Sequence, residues 1–266
     1  MKNLSFLIFF SLIILGKTSF ADEAKPSFIK SYTLGAELNN YRYVEPGLIA
    51  HSGFMLGVFA EMTWTYFVNL NGVTSANIVW GELNYDGSLC DVNTNICTDY
   101  QAKTIDVISR VTHRFVYLIK DDFNIFIGPG FRVLIDKGRG DGFYTRTGNY
   151  FFLPLGINFN YQNFNFDFEY DFLLSGTMKS KLSEVNKTFG DVRHKQSVGS
   201  GHKITLTRKI DDVTLRPVIA SLYYESWSIA ESDPEELLIN NQPSGNFFIE
   251  PKNFTQVIGL QLGLLF

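Results

Sequence analysis

The chain has 266 residues, with 23 Lys and Arg against 27 Asp and Glu, a formal charge of −4 and a mean hydropathy of +0.01. Slight acidity without a basic block gives no footing for a nucleic-acid partner. A content of 25 Phe, 13 Tyr and 22 Gly favours many strands over a helical domain.

The N-terminus carries Lys2, an apolar-dominated run from Leu4 to Leu15, and then Ser19-Phe20-Ala21. A basic start, a short apolar core and a small-x-small step describe a cleaved secretory signal over 1–21. Twelve such residues fall short of the roughly twenty that a spanning helix needs. No Cys follows the run, so a lipid anchor is not expected, and 22–266 is expected to be one exported β domain.

From residue 31 onward the organising signal is period two. Strands are predicted near 31–43, 53–67, 75–86, 103–118, 123–136, 149–161, 163–176, 200–209, 213–227 and 253–266. In the segment 164–174, Phe164, Phe166, Phe168, Tyr170, Phe172 and Leu174 alternate with Asn165, Asp167, Glu169 and Asp171. One face suits lipid and the other a crowded polar interior. Short connections at Asn69-Leu70-Asn71-Gly72, Asp121-Asp122, Gln162-Asn163 and Asp211-Asp212 alternate with long ones near 44–52, 87–102, 137–148, 177–199 and 228–252. This is the pattern of an all-β, antiparallel, up-and-down transmembrane barrel of about ten strands in a bacterial outer membrane, with five long extracellular loops. An aromatic belt is expected at the periplasmic strand ends from Trp64, Tyr66, Phe67, Phe115, Tyr117, Phe123, Phe159, Tyr161 and Phe164. A second is expected at the outer ends from Tyr41, Tyr43, Tyr85, Tyr150, Tyr223 and Trp227.

The last strand, Thr255-Gln256-Val257-Ile258-Gly259-Leu260-Gln261-Leu262-Gly263-Leu264-Leu265-Phe266, resembles the terminal strand of bacterial outer-membrane proteins. That resemblance implies that Phe266 is a signal read by the barrel-assembly machinery. The whole mature chain is similar to small single-domain barrels of the OmpA-like or opacity-protein kind. Tyr43-Val44-Glu45-Pro46-Gly47, Gly81-Glu82-Leu83-Asn84-Tyr85-Asp86-Gly87 and Glu250-Pro251-Lys252-Asn253 resemble segments of uncharacterised outer-membrane barrels. The likeness implies a shape and a location, and no activity.

Alternation places Glu37, Glu61, Glu82, Asp106, Asp136, Asp167, Glu169 and Asp171 inside, facing Arg110, Arg114, Arg132, Lys203 and Arg216. Charges of both signs in a poorly hydrated space must pair, because their desolvation is otherwise too costly. A structural network filling the lumen and a narrow ion path along it are both consistent with that. Ten-stranded barrels also include the omptin proteases, whose sites combine acids with a His at the outer rim. Their acid pair and Asp-x-His arrangement does not map onto His51, His113, His194 or His202. His113 falls on the lipid-facing parity. His51-Ser52 offers a base and a nucleophile, yet adjacent residues rarely face each other and no orienting acid is evident. The His-x-Ser element of outer-membrane phospholipases and lipid A deacylases is absent, as are metal-ligand spacing and a phosphate-binding Gly loop.

Cys90 and Cys97 flank an Asx-rich stretch in the second outer loop, and in oxidising space they are expected to form a disulfide. Residues 179–195 are basic and 231–250 acidic, so the last two outer loops either present a ligand-facing surface or pack by complementary charge. Asp233-Pro234-Glu235-Glu236 reads as a helix start. The leading expectation is a non-enzymatic surface barrel without a cofactor. Its expected partners are outer-membrane lipid and an extracellular or host ligand at the outer loops. A narrow channel is the alternative, and an omptin-like surface hydrolase stands third.

Overall fold

The computed structural model describes residues 29–90, 97–140, 142–211 and 216–266, and the expected signal over 1–21 lies outside them. The strands are β1 (Ile29–Glu45), β2 (Ile49–Phe67), β3 (Leu70–Cys90), β4 (Cys97–Lys120), β5 (Phe123–Ile127), β6 (Gly130–Arg139), β7 (Thr145–Tyr161), β8 (Phe164–Ser180), β9 (Val192–Gln196), β10 (Gly199–Ile210), β11 (Val218–Ile229), β12 (Glu235–Ile239), β13 (Gln242–Phe248) and β14 (Asn253–Leu265). All pairings are antiparallel. From β1 the ladder runs through β2, β3 and β4 to β5 and β6, on through β7 and β8 to β9 and β10, then through β11 and β14 back to β1. β5 and β6 are two halves of one wall strand, interrupted at Gly128-Pro129, where the proline has no N–H to give. The ladder survives the break, because His113 N–H donates to the Pro129 carbonyl at 2.9 Å and Gly128 N–H to Pro154 at 3.1 Å. β9 and β10 likewise share one wall position against β8. The ring therefore has ten staves, with β12 and β13 forming a separate hairpin in the last outer loop.

Alternation decides what each wall face meets. Leu34, Leu38, Phe54, Leu56, Val58, Trp80, Phe166, Phe168, Ile258, Leu260 and Leu262 all project outward and are exposed. A continuous apolar band of this kind is a liability in water and is the lipid face of a spanning barrel. The periplasmic belt stands as expected, with Tyr66, Phe67, Phe115, Tyr117, Phe159 and Tyr161 outward. The outer belt does not form from the expected residues. Tyr41, Tyr43, Tyr150, Tyr223 and Trp227 are fully buried inside, and Tyr85 shares their inward parity.

Inward glycines make room for these rings. A β-carbon at Gly130, Gly201 or Gly259 would run into the ring of Phe152, Trp227 or Tyr223 respectively. Each large ring thus lies flat over a glycine on a neighbouring strand, which accounts for two enrichments of the sequence at once.

The outer ends depart from expectation because the ladders continue past the lipid face. β1 and β2 are joined by Pro46-Gly47-Leu48 alone, with Gly47 at φ 77°, where a long first loop was expected. β3 and β4 stay paired up to Cys90 opposite Cys97, and the stretch between them lies outside the described residues. Tyr85, Tyr100 and Phe143 brace the upper part of this hairpin, with ring centroids 5.1 Å apart for Tyr85–Phe143 and 5.7 Å for Tyr100–Phe143. The segment expected to start a helix is instead extended, with Glu235 opening β12 and Asn240 and Asn241 making a two-residue turn at φ 51° and 60°. The pair of left-handed residues matches the right-handed twist of a hairpin, and that tertiary pairing overrides the local capping signal.

The seam between the first and last strands closes on Phe266. Phe266 N–H donates to the Tyr32 carbonyl at 2.8 Å, Tyr32 N–H returns a bond at 3.1 Å, and the two rings stack at 4.8 Å. Deleting Phe266 removes both backbone bonds and the stack, and is expected to lower the amount of folded protein in the outer membrane and raise degradation. Heat-modifiable migration on gels reads the folded fraction, and an unchanged fraction with unchanged surface exposure would refute the role.

Only the backbone is described at Cys90 and Cys97, which face each other as the last rung of their ladder. Directly opposed residues have Cα atoms about 4.5–5.5 Å apart, within disulfide range. Mass spectrometry of non-reduced, alkylated protein is expected to find the two linked. Quantitative alkylation of both without reductant would reject the bond. Its loss is expected to loosen the loop and leave the barrel folded, since the closed loop is short.

Candidate functional site

The lumen is built in three levels. On the periplasmic side is a cavity of about 720 Å³ lined by polar residues such as Asn71, Asn158, Asn165 and Thr207. On the outer side is a second cavity, of about 300 Å³, reaching Glu45, Tyr85, Asp136, Arg146 and Glu250. They share no lining residue. Between them Tyr41, Met55, Leu83, Arg132, Phe152, Asp171 and Trp227 are all buried to within 2%.

Two of the expected arginines close this middle level by reaching across the barrel. Arg110, on β4, pairs with Glu169 and, at 3.1 Å, with Asp171, both on β8. Two inward positions lower on β4, Arg114 pairs with Asp167 at 2.9 Å and Glu61 at 3.5 Å. Their guanidinium planes also lie over Phe152 and Phe126, at 5.0 and 4.9 Å. Arg132 behaves differently. Its register partner is Arg110, which already holds the β8 acids. Among the described residues no carboxylate lies within ion-pair distance of Arg132, and its guanidinium stacks 5.4 Å over Trp227. Trp227 in turn donates its Nε1–H to Glu225 at 2.9 Å.

Several other expected lumenal charges are placed otherwise. Glu37 is inward, but among the described residues it pairs with no arginine. It accepts instead from neutral donors: Tyr223, Asn77 at 3.1 Å, Gln261 at 2.7 Å and Asn39 at 3.2 Å. Glu82 points outward above the lipid face, where it pairs with Arg139 at 2.7 Å. Both faces of its strand are mixed, so composition did not reveal its parity. Arg216 is exposed at the periplasmic end, 4.3 Å over the ring of Phe266. Asp106 faces His51 rather than an arginine, with Nδ1 and Oδ2 3.3 Å apart. Sequence reasoning found no acid for His51 because the partner comes from β4, two staves away. Ser52 is exposed on the opposite wall face from His51, so the two do not form a nucleophile and base. His113 is outward as expected and shares hydrogen bonds with Thr74 at 2.7 Å and Tyr66 at 3.2 Å.

No protein-family model and no curated protein matches the sequence. Solved structures do. The outer membrane protease OmpT of Escherichia coli superposes with a TM-score of 0.52 at 10% identity, over 94% of this chain and all of that one. Neisserial surface protein A (TM-score 0.35, 8% identity, 86% of this chain and 95% of that one) is also similar. So is the toluene transporter TodX of P. putida (TM-score 0.35, 7% identity, 91% and 90%). The chain is a small outer-membrane β-barrel. At these identities the likeness speaks for the fold alone.

Above the rim, the 181–191 loop and the last outer loop pack together. Gly190 N–H donates to Leu238 and Asn240 N–H to Thr188, both at 2.8 Å, and Ser232 Oγ lies 3.2 Å from His194 Nδ1. The opposite charges of the two loops are not what joins them. Among the described residues the loop ion pairs are internal, Lys179–Asp191 at 2.9 Å and Lys181–Glu184 at 3.6 Å. Glu184 accepts from both N–H and Oγ–H of Thr145 at 2.8 Å, and Asp191 from Ser183 Oγ–H at 2.6 Å. Slight burial pushes both carboxyls up, but these hydrogen bonds outweigh it and hold them below the ordinary carboxylate range. A depressed folded value contributes anchoring that is present above the unfolded values, about pH 4, and is lost as pH falls through the folded ones. Protection from hydrogen exchange over 181–191, relative to the intrinsic rate at each pH, is therefore expected to fall below about pH 4 while the barrel stays folded. Protection unchanged at pH 2 would contradict this.

Proposed function

We propose that the chain is a closed, non-enzymatic barrel of the outer surface that works through its last two outer loops, recognising an extracellular or host ligand. The observation that carries this reading is the buried middle level that separates the two cavities, with Arg110 and its acids reaching across the lumen at the roof of the periplasmic one. A wall of ten staves encloses little more than side chains can fill, and a dry ionic layer opposes the passage of hydrated solutes. The hydrolase reading draws support from the His51–Asp106 contact, but both residues are 1% exposed and Ser52 lies on the other face. The loops, by contrast, offer a surface that the fold does not use. Phe247, Phe248 and Ile249 are consecutive, apolar and exposed on and just beyond β13, beside acidic Glu235 and Glu236. Aromatic residues displayed in this way are typical anchors of recognition surfaces.

In planar bilayers the purified barrel is expected to show little steady conductance, and liposomes bearing it no uptake of small sugars. Arg110→Ala strands two buried acids, a loss of about 3–5 kcal/mol where the pair is dry, and conductance is expected only in that variant. Large, reproducible wild-type conductance would promote the channel. For the loops, replacing Phe247 and Phe248 by Ser is expected to reduce attachment of cells bearing the barrel to epithelial monolayers about tenfold, the loss typical of an aromatic anchor. Unchanged attachment with unchanged surface display would count against the loop reading.

A further inference from the structure

Near the outer end of the lumen, four buried carboxylates gather around a single guanidinium. Arg146 contacts Glu45, Glu250 and, at 3.9 Å, Asp136. The fourth acid, Asp106, is the direct register partner of Asp136 on the neighbouring strand, and both point inward. Like charges directly opposed across a ladder repel. Arg132, the next cation inward, is occupied over Trp227 beyond ion-pair distance. The group thus carries an excess of negative charge in a place from which water is largely excluded.

We propose that His51, Asp106 and Asp136 bind one divalent transition-metal ion of the zinc class. Each offers one ligand atom, and the three atoms lie within 4.8 Å of one another. The His51–Asp106 contact orients the ring. The ring lies between the two acids, Nδ1 3.3 Å from Asp106 Oδ2 and Nε2 3.8 Å from Asp136 Oδ2, so that an ion takes one ring nitrogen and replaces the contact made there. Nε2 is buried without a hydrogen-bond partner, and so is Asp106 Oδ1, in residues that are each 1% exposed. A buried imidazole nitrogen and a buried carboxylate oxygen left unsatisfied in two contacting residues are costly unless a ligand meets them. A small cavity of about 10 Å³ adjoins the three side chains, room for about one water-sized species. It shares Asp136 and Arg146 with the outer cavity, which supplies a way in from the cell exterior.

One imidazole nitrogen and two carboxylates match zinc or cobalt, with a water completing four-coordination. Calcium, which takes six to eight oxygens, finds too few here. Bound there, the ion would tie β2 to β4 and β6 at the outer rim and neutralise the opposed aspartates. This site does not depend on the loops, and its enclosure suits an ion and excludes a peptide or lipid.

The test uses the full mature barrel, stripped with chelator and folded in detergent. Cobalt is expected to give visible d–d bands of four-coordinate intensity at one ion per chain, and zinc to displace it. Zinc is also expected to raise the temperature at which the compact gel form is lost. His51→Gln and Asp136→Asn are each expected to weaken binding by more than about tenfold, whereas His202→Gln, on the outer wall face, leaves it unchanged. Should a variant fail to fold, X-ray absorption at the zinc edge of the wild-type protein decides, since it must read one imidazole and oxygen ligands. Absence of cobalt bands and of zinc binding at submillimolar concentrations would overturn the proposal. So would binding that survives both substitutions, or an edge spectrum without imidazole.

Discussion

Ten strands enclose a space too wide for aliphatic side chains to fill and too narrow to hold bulk water, and the interior follows from that mismatch. The middle of the lumen is spanned by the longest and flattest side chains available, Arg110, Arg114, Arg132, Tyr41, Phe152, Tyr223 and Trp227. Apart from Tyr41, each of these lies over something small or flat, a glycine on the next strand or another aromatic face. Charges enter this space on two terms. Either they reach a counter-charge on the opposite wall, as Arg110 does at Glu169 and Asp171, or neutral donors surround them, as four side chains surround Glu37. Both arrangements answer the same desolvation cost.

The wall was legible in the sequence because period-two alternation is a local property. Strand positions, the lipid-facing parity of His113, the periplasmic aromatic belt and the alternation of the terminal strand all follow from neighbours a few residues apart. The outer belt failed for a related reason. Tyr41, Tyr43, Tyr223 and Trp227 have the residue types of an interface and sit near strand ends, but their parity is that of Glu37, Asn39, Ser221 and Glu225, and parity governs. Amphipathic rings serve a charged lumen as well as a membrane surface, so composition alone does not separate the two.

What was not legible is the set of contacts that cross the barrel. Which residues meet across the lumen depends on strand tilt and on how far the register shifts around the ring. No spacing in the chain records that. Arg132 was expected to pair with an acid and lies instead opposite Arg110, while His51 found its partner in Asp106, 55 residues on. The same limitation hid the His51, Asp106 and Asp136 group, because its members come from three strands and have no motif among them.

The height of the β3–β4 hairpin carries a consequence for how the protein meets its surroundings. β4 is 24 residues long, about 79 Å of extended chain at 3.3 Å per residue. Tilted by about 40°, it rises about 60 Å, against an apolar band of about 25 Å. Since its lower end stops beside the periplasmic belt at Phe115 and Tyr117, most of the excess stands outside the cell. The hairpin is therefore a mast, stiffened by its own ladder and stayed by Tyr85, Tyr100 and Phe143. Large bodies that cannot descend between surface polysaccharides, such as antibodies or phage fibres, would touch its top first.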